Sequence, residues 1–250
     1  WASIGRGKSR VLTSTGQIVC EILAPPNHDK IQLSPDGMTM ASYGWHSPIL
    51  SVWNAHTGKQ LKEFRCEAQA LAGFTPDSQQ LIICQAREFR FFDLNNWDKV
   101  RTIARHGCTY PSNVAYSPRG DLVALELTWG VLHLLRTDNF ETVALLESPT
   151  KNQANSFNFC AGGSLLCAFH IRSTETYVWN IDEMRQQLAL LHLDWDGGIE
   201  PTVVSRTHEN ALPNVPRRLE ISSRTADAVE RMEIVRQQLQ AAEKRLGDTP

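Results

Sequence analysis

Short apolar runs separated by turn residues recur at a nearly constant interval over the first 180 residues. The clearest unit opens with Ile31-Gln32-Leu33 and turns through Ser34-Pro35-Asp36-Gly37. It resumes at Met40-Ala41-Ser42-Tyr43-Gly44 and at Leu50-Ser51-Val52-Trp53-Asn54, turns again through Thr57-Gly58-Lys59 and closes between Leu61 and Phe64. Runs of about four to seven residues rich in Val, Ile, Leu, Phe and Trp predict strands packed between neighbours on both faces. Pro presets φ, Asp accepts a hydrogen bond from its own backbone, and Gly is free to take φ > 0, so each Pro-Asp-Gly folds one strand onto the next.

The unit repeats. A second copy runs through Phe74-Thr75-Pro76-Asp77, Leu81 to Cys84, Phe89 to Asp93 and Val100 to Ile103. A third runs through Val114 to Gly120, Leu122 to Leu125, Val131 to Leu135 and Thr142 to Leu146. A worn fourth has Phe157 to Gly163, Leu165 to Phe169 and Thr176 to Asn180. Pro76 follows Pro35 by 41 residues, Pro118 follows Pro76 by 42, and Ala161, at the matching place, follows by 43. A period of about 40–45 with four strands per unit predicts propeller blades. Ala2-Ser3-Ile4-Gly5 and Thr15-Gly16-Gln17 match Ala41-Ser42-Tyr43-Gly44 and Thr57-Gly58-Lys59. Residues 1–25 therefore read as the rest of an earlier blade without its innermost strand, and the first residue, Trp1, is expected to lie inside a longer polypeptide.

After Asn180 the pattern changes. Met184, Leu188 and Leu191 fall on one helical face behind Asp182 as N-cap, predicting a helix over 182–193 where an outer strand is due. The fourth blade is then expected to take its outer strand from an N-terminal end that the sequence lacks. Residues 194–223 read as an irregular linker. Residues 224–250 read as an amphipathic, coiled-coil-like helix in which Ala228, Met232, Val235, Leu239, Ala242 and Leu246 recur at intervals of four and three. That seam suits docking on its own domain or a following helix, or self-association through Met232, Val235, Leu239 and Leu246.

The Ser-Pro-Asp-Gly turn, the Val-Trp-Asn and Thr-Tyr-Val-Trp-Asn segments and the Thr-Gly-Lys hairpin resemble WD40-repeat β-propellers over residues 1–181. The expected fold is all-β, a WD40-type propeller of about four and a half blades of four-stranded antiparallel sheet, followed by C-terminal α-helices. Such proteins often carry a Gly-His pair before each inner strand, which joins a Trp/Ser/His/Asp hydrogen-bond network. His106 is roughly placed for it in the third unit, whereas the first, second and fourth show no such pair. The resemblance then implies that blade rigidity rests more on apolar packing. The downstream helix followed by Leu193-Asp194-Trp195-Asp196 looks like the end of WD40 regions in large bacterial proteins, where a propeller is often appended to a Ser/Thr protein kinase domain.

Charge and composition narrow the partners. Twenty-five Lys and Arg nearly balance 27 Asp and Glu for a net charge of -2, so no basic field favours nucleic acid or an anionic membrane. No apolar run reaches the roughly 18–20 residues of a membrane helix. Six cysteines without paired spacing suit buried free thiols in a reducing, cytoplasmic setting.

Catalytic chemistry is sparse. Gly7-Lys8-Ser9 lacks the earlier Gly and following helix of a phosphate-binding loop, and no Gly-x-Ser-x-Gly elbow or kinase motif is present. Cys160, Cys167 and His170 are weak metal candidates, because Cys167 and His170, three apart on a strand, point to opposite faces, and His106 with Cys108 offers only two ligands. No cofactor, metal or catalytic residue is expected. What remains is a rim formed by the loops between second and third strands together with the connectors between blades. It carries Trp45, His46, Arg87, Trp129 and Arg172 from the first kind of loop, and His106 and Tyr110 from the second. Aromatic and Arg side chains are the types enriched at interface hot spots. The expected function is a non-catalytic scaffold or sensor that binds a protein or peptide; the alternative is the regulatory C-terminal region of a bacterial Ser/Thr kinase whose catalytic domain lies upstream.

Overall fold

The computed structural model describes residues 2–5, 8–154, 156–169, 175–195 and 217–220. The apolar runs form antiparallel sheets that follow one another in chain order. The first sheet has three strands, β1 (Ala2–Gly5), β2 (Lys8–Leu12) and β3 (Ile18–Ile22). The second has four, β4 (Lys30–Leu33), β5 (Thr39–Tyr43), β6 (Ile49–Asn54) and β7 (Gln60–Arg65). The third comprises β8 (Leu71–Phe74), β9 (Gln80–Cys84), β10 (Glu88–Asp93) and β11 (Lys99–Ala104). The fourth comprises β12 (Ala115–Tyr116), β13 (Leu122–Thr128), β14 (Val131–Arg136) and β15 (Thr142–Glu147). The fifth comprises β16 (Ser156–Cys160), β17 (Leu165–Phe169), β18 (Glu175–Asn180) and β19 (Arg217–Glu220).

Both faces of the inner strands are buried, which explains their unbroken apolar sequence. On β9, Leu81 and Ile83 pack with Ala41, Tyr43 and Val52 of the second sheet. Their neighbours Ile82 and Cys84 pack with Val123 and Leu125 of the fourth. On β13 the same alternation sends Leu122 and Ala124 against Phe157, Leu166 and Trp179 of the fifth sheet. Val11 and Ile22 of the first sheet meet Met40 and Trp53 of the second. The core is therefore a series of apolar layers between consecutive sheets, each fed by period-two alternation.

The turn between third and fourth strands needs one left-handed residue. Gly58 takes it in the second sheet at φ 70°, whereas Trp97 (φ 65°) and Phe140 (φ 60°) take it in the third and fourth. A bulky residue there costs about 1–2 kcal/mol. Packing offsets it: Phe140 lies edge-on to Phe91 with centroids 5.4 Å apart, and Trp97 lies edge-on to Phe64 at 6.2 Å.

Three expectations require correction. The outer strand of the fifth sheet comes from downstream, not from the N-terminal end. β19, inside the segment read as linker, pairs antiparallel with β18 in a register that sets Glu175 opposite Glu220 and Val178 opposite Arg217. An open strand edge needs only backbone donors and acceptors, so a charged Arg-Arg-Leu-Glu stretch serves without an apolar pattern. The helix also begins earlier than 182: α1 spans Ile181–Leu190, and its N-cap is Asn180, whose side chain accepts from the Glu183 N–H at 3.0 Å. Asn180 thus ends a strand and starts a helix, leaving Asp182 in the first turn where its charge favours the dipole. Residues 196–216 and 221–250, with Met232, Val235, Leu239 and Leu246, lie outside the described residues.

The third correction concerns rigidity. The second sheet does hold a polar network: Trp53 Nε1 donates to Ser42 Oγ at 2.9 Å, and Ser42 Oγ meets His28 Nδ1 at 2.9 Å. Asn27, directly before His28, adopts φ 68°, a left-handed conformation that Asn tolerates. His106 instead is exposed and held through its backbone, which accepts from the Trp129 N–H at 3.2 Å and donates to Leu127 O at 2.7 Å. Burial holds the His28 imidazole below its ordinary value of 6.5. The folded state therefore prefers neutral His28; that contribution is present above pH 6.5 and lost as pH falls through the depressed value. In urea titrations between pH 7.5 and 5, the wild-type protein should lose stability relative to His28→Gln by up to about 1.4 kcal/mol per pH unit. Parallel pH profiles of the two proteins would assign the effect elsewhere.

Candidate functional site

The loops between second and third strands and the connectors between sheets meet around one buried cation. Arg105 follows β11, and its side chain is fully buried. Its Nε donates to Glu126 O at 2.7 Å, Nη1 to Gln85 O at 2.6 Å and Tyr110 O at 2.9 Å, and Nη2 to Ser112 Oγ at 2.9 Å and Glu126 Oε2 at 3.0 Å. Its guanidinium carbon lies 5.1 Å from the Phe89 ring centroid. Glu126, also fully buried, uses Oε1 to accept from Ala154 N at 2.9 Å and Gly130 N at 3.2 Å. One ion pair thereby ties the hairpin after β9, the connector after β11, the hairpin after β13 and the connector before β16. A carboxylate inside the apolar run Leu122–Thr128 requires such a partner, because an unpaired buried charge is strongly unfavourable.

Burial pushes the Glu126 carboxyl up to about 7, against the opposing pull of the Ala154 N–H, Arg105 and the Gly130 N–H. A raised acid value means that its contribution to stability is fully present below pH 4.5 and is lost as the pH rises through about 7. The sign is opposite to that of His28.

On this frame sit the aromatic candidates. Trp45, from the hairpin after β5, stacks on Tyr110, from the connector after β11, with centroids 6.1 Å apart and planes 20° apart. Lys30 Nζ lies 5.6 Å from the Trp45 ring centroid. Gln153 fixes the Tyr110 backbone at both ends: its Nε2 donates to Tyr110 O at 2.6 Å and its Oε1 accepts from Tyr110 N at 3.3 Å. Trp129, 37% exposed, donates from Nε1 to Lys151 O at 2.7 Å. Arg87 has an exposed side chain, and its carbonyl accepts from Arg105 N at 2.7 Å. His46 is exposed beside Trp45, and His106 is anchored to the 127–129 segment. The structure thus brings Trp45 to Tyr110 and His106 to Trp129; Arg172 lies outside the described residues. Sequence reasoning missed Arg105, Glu126, Gln153 and Lys30. Of these only Glu126 had a signal, a carboxylate within a strand otherwise buried on both faces.

Other candidate chemistry has different surroundings. Lys8 lies on strand β2 and pairs with Glu21 at 3.2 Å, as does Arg10 at 2.8 Å, so the Gly7-Lys8-Ser9 stretch leads into a sheet and not a helix. No group of three or more His, Cys, Asp or Glu among the described residues is placed to hold a metal ion, and His170 lies outside them. No helix among the described residues is long and apolar enough to cross a membrane.

Solved structures share the architecture. The β-propeller domain of Myceliophteria thermophila Cps50 (Swd1) aligns with a TM-score of 0.57 at 15% identity, covering 72% of this chain and 61% of that one. The fold is a β-propeller. Hydrazine synthase from Kuenenia stuttgartiensis aligns with a TM-score of 0.52 at 20% identity, covering 63% of this chain and 47% of that one. The chain thus spans about half to three-fifths of the structures it resembles, and at this identity the likeness shows fold alone. No family model and no curated protein matches the sequence. In this propeller the rim is the side on which blade hairpins and inter-blade connectors converge.

Proposed function

We propose that this propeller is a non-catalytic scaffold or sensor that takes a protein or peptide segment across the rim formed by Trp45, His46, Arg87, His106, Tyr110 and Trp129. The observation that supports it best is the Trp45–Tyr110 stack, in which two aromatic rings from different blades meet and the Tyr110 backbone is fixed by Arg105 and Gln153. Rigid aromatics offer large contact area with little rotamer entropy to lose, and an exposed Arg87 nearby adds a planar donor. The C-terminal seam through Met232, Val235, Leu239 and Leu246 belongs to the same reading as a second contact or a self-association element.

The test compares the wild-type protein with the triple substitution Trp45→Ala, Arg87→Ala and Trp129→Ala, using affinity capture with quantitative mass spectrometry. At about 2 kcal/mol per hot-spot residue, specific partners should fall by at least roughly tenfold in recovery. Near-ultraviolet circular dichroism should show the blades intact. Undiminished capture by a folded triple variant would reject the rim as the binding surface.

A further inference from the structure

We propose that Cys160 and Cys167 form a redox-modification site, a dithiol that hydrogen peroxide converts to an intramolecular disulfide. The two thiols meet across the β16–β17 hairpin. Its register sets Asn158 opposite Cys167 and Cys160 opposite Leu165, so the cysteines are diagonal neighbours on one face of the sheet. Their sulfurs stand 2.8 Å apart. A disulfide bond is about 2.05 Å long, so closure requires less than about 1 Å of approach. The other four thiols have separate surroundings: Cys66 and Cys84 are buried, Cys20 donates to Ala55 O at 2.9 Å, and Cys108 sits at the connector beside His106.

The two members differ in the way a redox pair requires. Cys160 is half-buried, and hydrogen bonding from the Cys167 thiol pulls its value down. Cys167 is 4% exposed, and both the Cys160 sulfur and burial push it up. Cys160 is therefore the nucleophile. Its thiolate attacks one peroxide oxygen and expels hydroxide, leaving a sulfenic acid on Cys160. Cys167 then gives up its proton as its sulfur attacks the Cys160 sulfur; the O–S bond breaks and water leaves. In sum, two thiols and one hydrogen peroxide give one disulfide and two waters, and a dithiol reductant reverses the product.

The site has a structural address. The turn that joins the two strands, Ala161–Gly163, carries three consecutive positive φ values, 49°, 67° and 101°. It lines a cavity of about 170 Å³ together with Pro118, Arg119 and the first turn of α1. Oxidation therefore staples the hairpin that walls this cavity, on the side of the blades formed by the Pro-Asp-Gly-type turns.

Both cysteines lie in one tryptic peptide, 152–172. After treatment of the full chain with a small excess of hydrogen peroxide and alkylation of residual thiols, this peptide should appear unalkylated and about 2 Da lighter, and dithiothreitol should restore alkylation. The folded protein should close the bond at least roughly tenfold faster than the urea-unfolded chain, because native geometry raises the effective concentration. In Cys167→Ser, oxidation should stop at a dimedone-trappable sulfenic acid on Cys160. Equal rates in folded and unfolded chains, dimers linked through Cys160, or dimedone on other cysteines in place of Cys160 would each overturn the proposal.

Discussion

Replacing Arg105 by Met should lower the free energy of unfolding by about 3–5 kcal/mol at pH 7.5, read from urea titrations followed by tryptophan fluorescence. The substitution keeps an unbranched apolar stem but removes the guanidinium that serves Gln85 O, Tyr110 O, Glu126 O and the Glu126 carboxylate. Gln85 O and Glu126 O then lie in the interior without this donor, Tyr110 O keeps Gln153 Nε2, and the carboxylate keeps the Ala154 and Gly130 N–H groups and Gln153 but loses its counter-charge. The same site dictates a pH dependence. Glu126 is already held near 7 by burial, and loss of the neighbouring cation pushes it further up, so in the variant it takes its proton at a higher pH than in the wild type. The deficit at pH 5 should therefore be smaller than at pH 7.5, by up to about 0.8 kcal/mol, because the wild-type carboxyl also takes up its proton over this range. Adding Glu126→Gln to Arg105→Met should recover stability, and a double-mutant cycle should show coupling above about 1 kcal/mol. A loss below about 1 kcal/mol, equal at both pH values, would mean that the pair does not hold the connectors in place.

The distance between what was legible in the sequence and what was not follows from where each signal resides. Blades are legible because both faces of β5, β9 and β13 are buried, which forces unbroken apolar runs, and because the Ser-Pro-Asp-Gly, Thr-Pro-Asp-Ser and Ser-Pro-Arg-Gly turns recur in register with them. The rim positions are legible as loop residues, since a hairpin tip is wherever two runs meet. Their pairings are not. Trp45 and Tyr110 are 65 positions apart in the chain, and nothing local announces that they stack. β19 was hidden because an edge strand is recruited through its backbone, and its Arg-Arg-Leu-Glu sequence has no alternation to read. The His28 network was hidden because Asn27, not Gly, stands before the histidine and takes the left-handed conformation.

Gly44→Ala should destabilise the protein by about 3 kcal/mol or more, the upper range for forcing atoms into a packed site, whereas Gly120→Ala should cost only about 1 kcal/mol. The two glycines separate steric exclusion from backbone conformation. Gly44 follows β5 and carries no left-handed φ, but a Cβ there would lie 1.7 Å from Asn27 O and 2.8 Å from Asn27 C, both backbone atoms. Gly120, in the turn before β13, has φ +75° with nothing within 4 Å of a Cβ, so Ala meets strain without contact. Relief at position 44 requires the connector 23–29 to move away, and Asn27 directly precedes His28. The substitution should therefore also break the His28–Ser42–Trp53 chain and shift Trp45, the next residue. Three readings are expected together in Gly44→Ala: a lowered urea midpoint, a changed tryptophan emission spectrum, and weakened partner capture. Gly120→Ala should show a modest loss of midpoint alone. Equal losses in the two variants would mean that the rim loops yield to a methyl group. In that case the close approach of the 44–48 hairpin to the 23–29 connector could not be what fixes Trp45 against Tyr110.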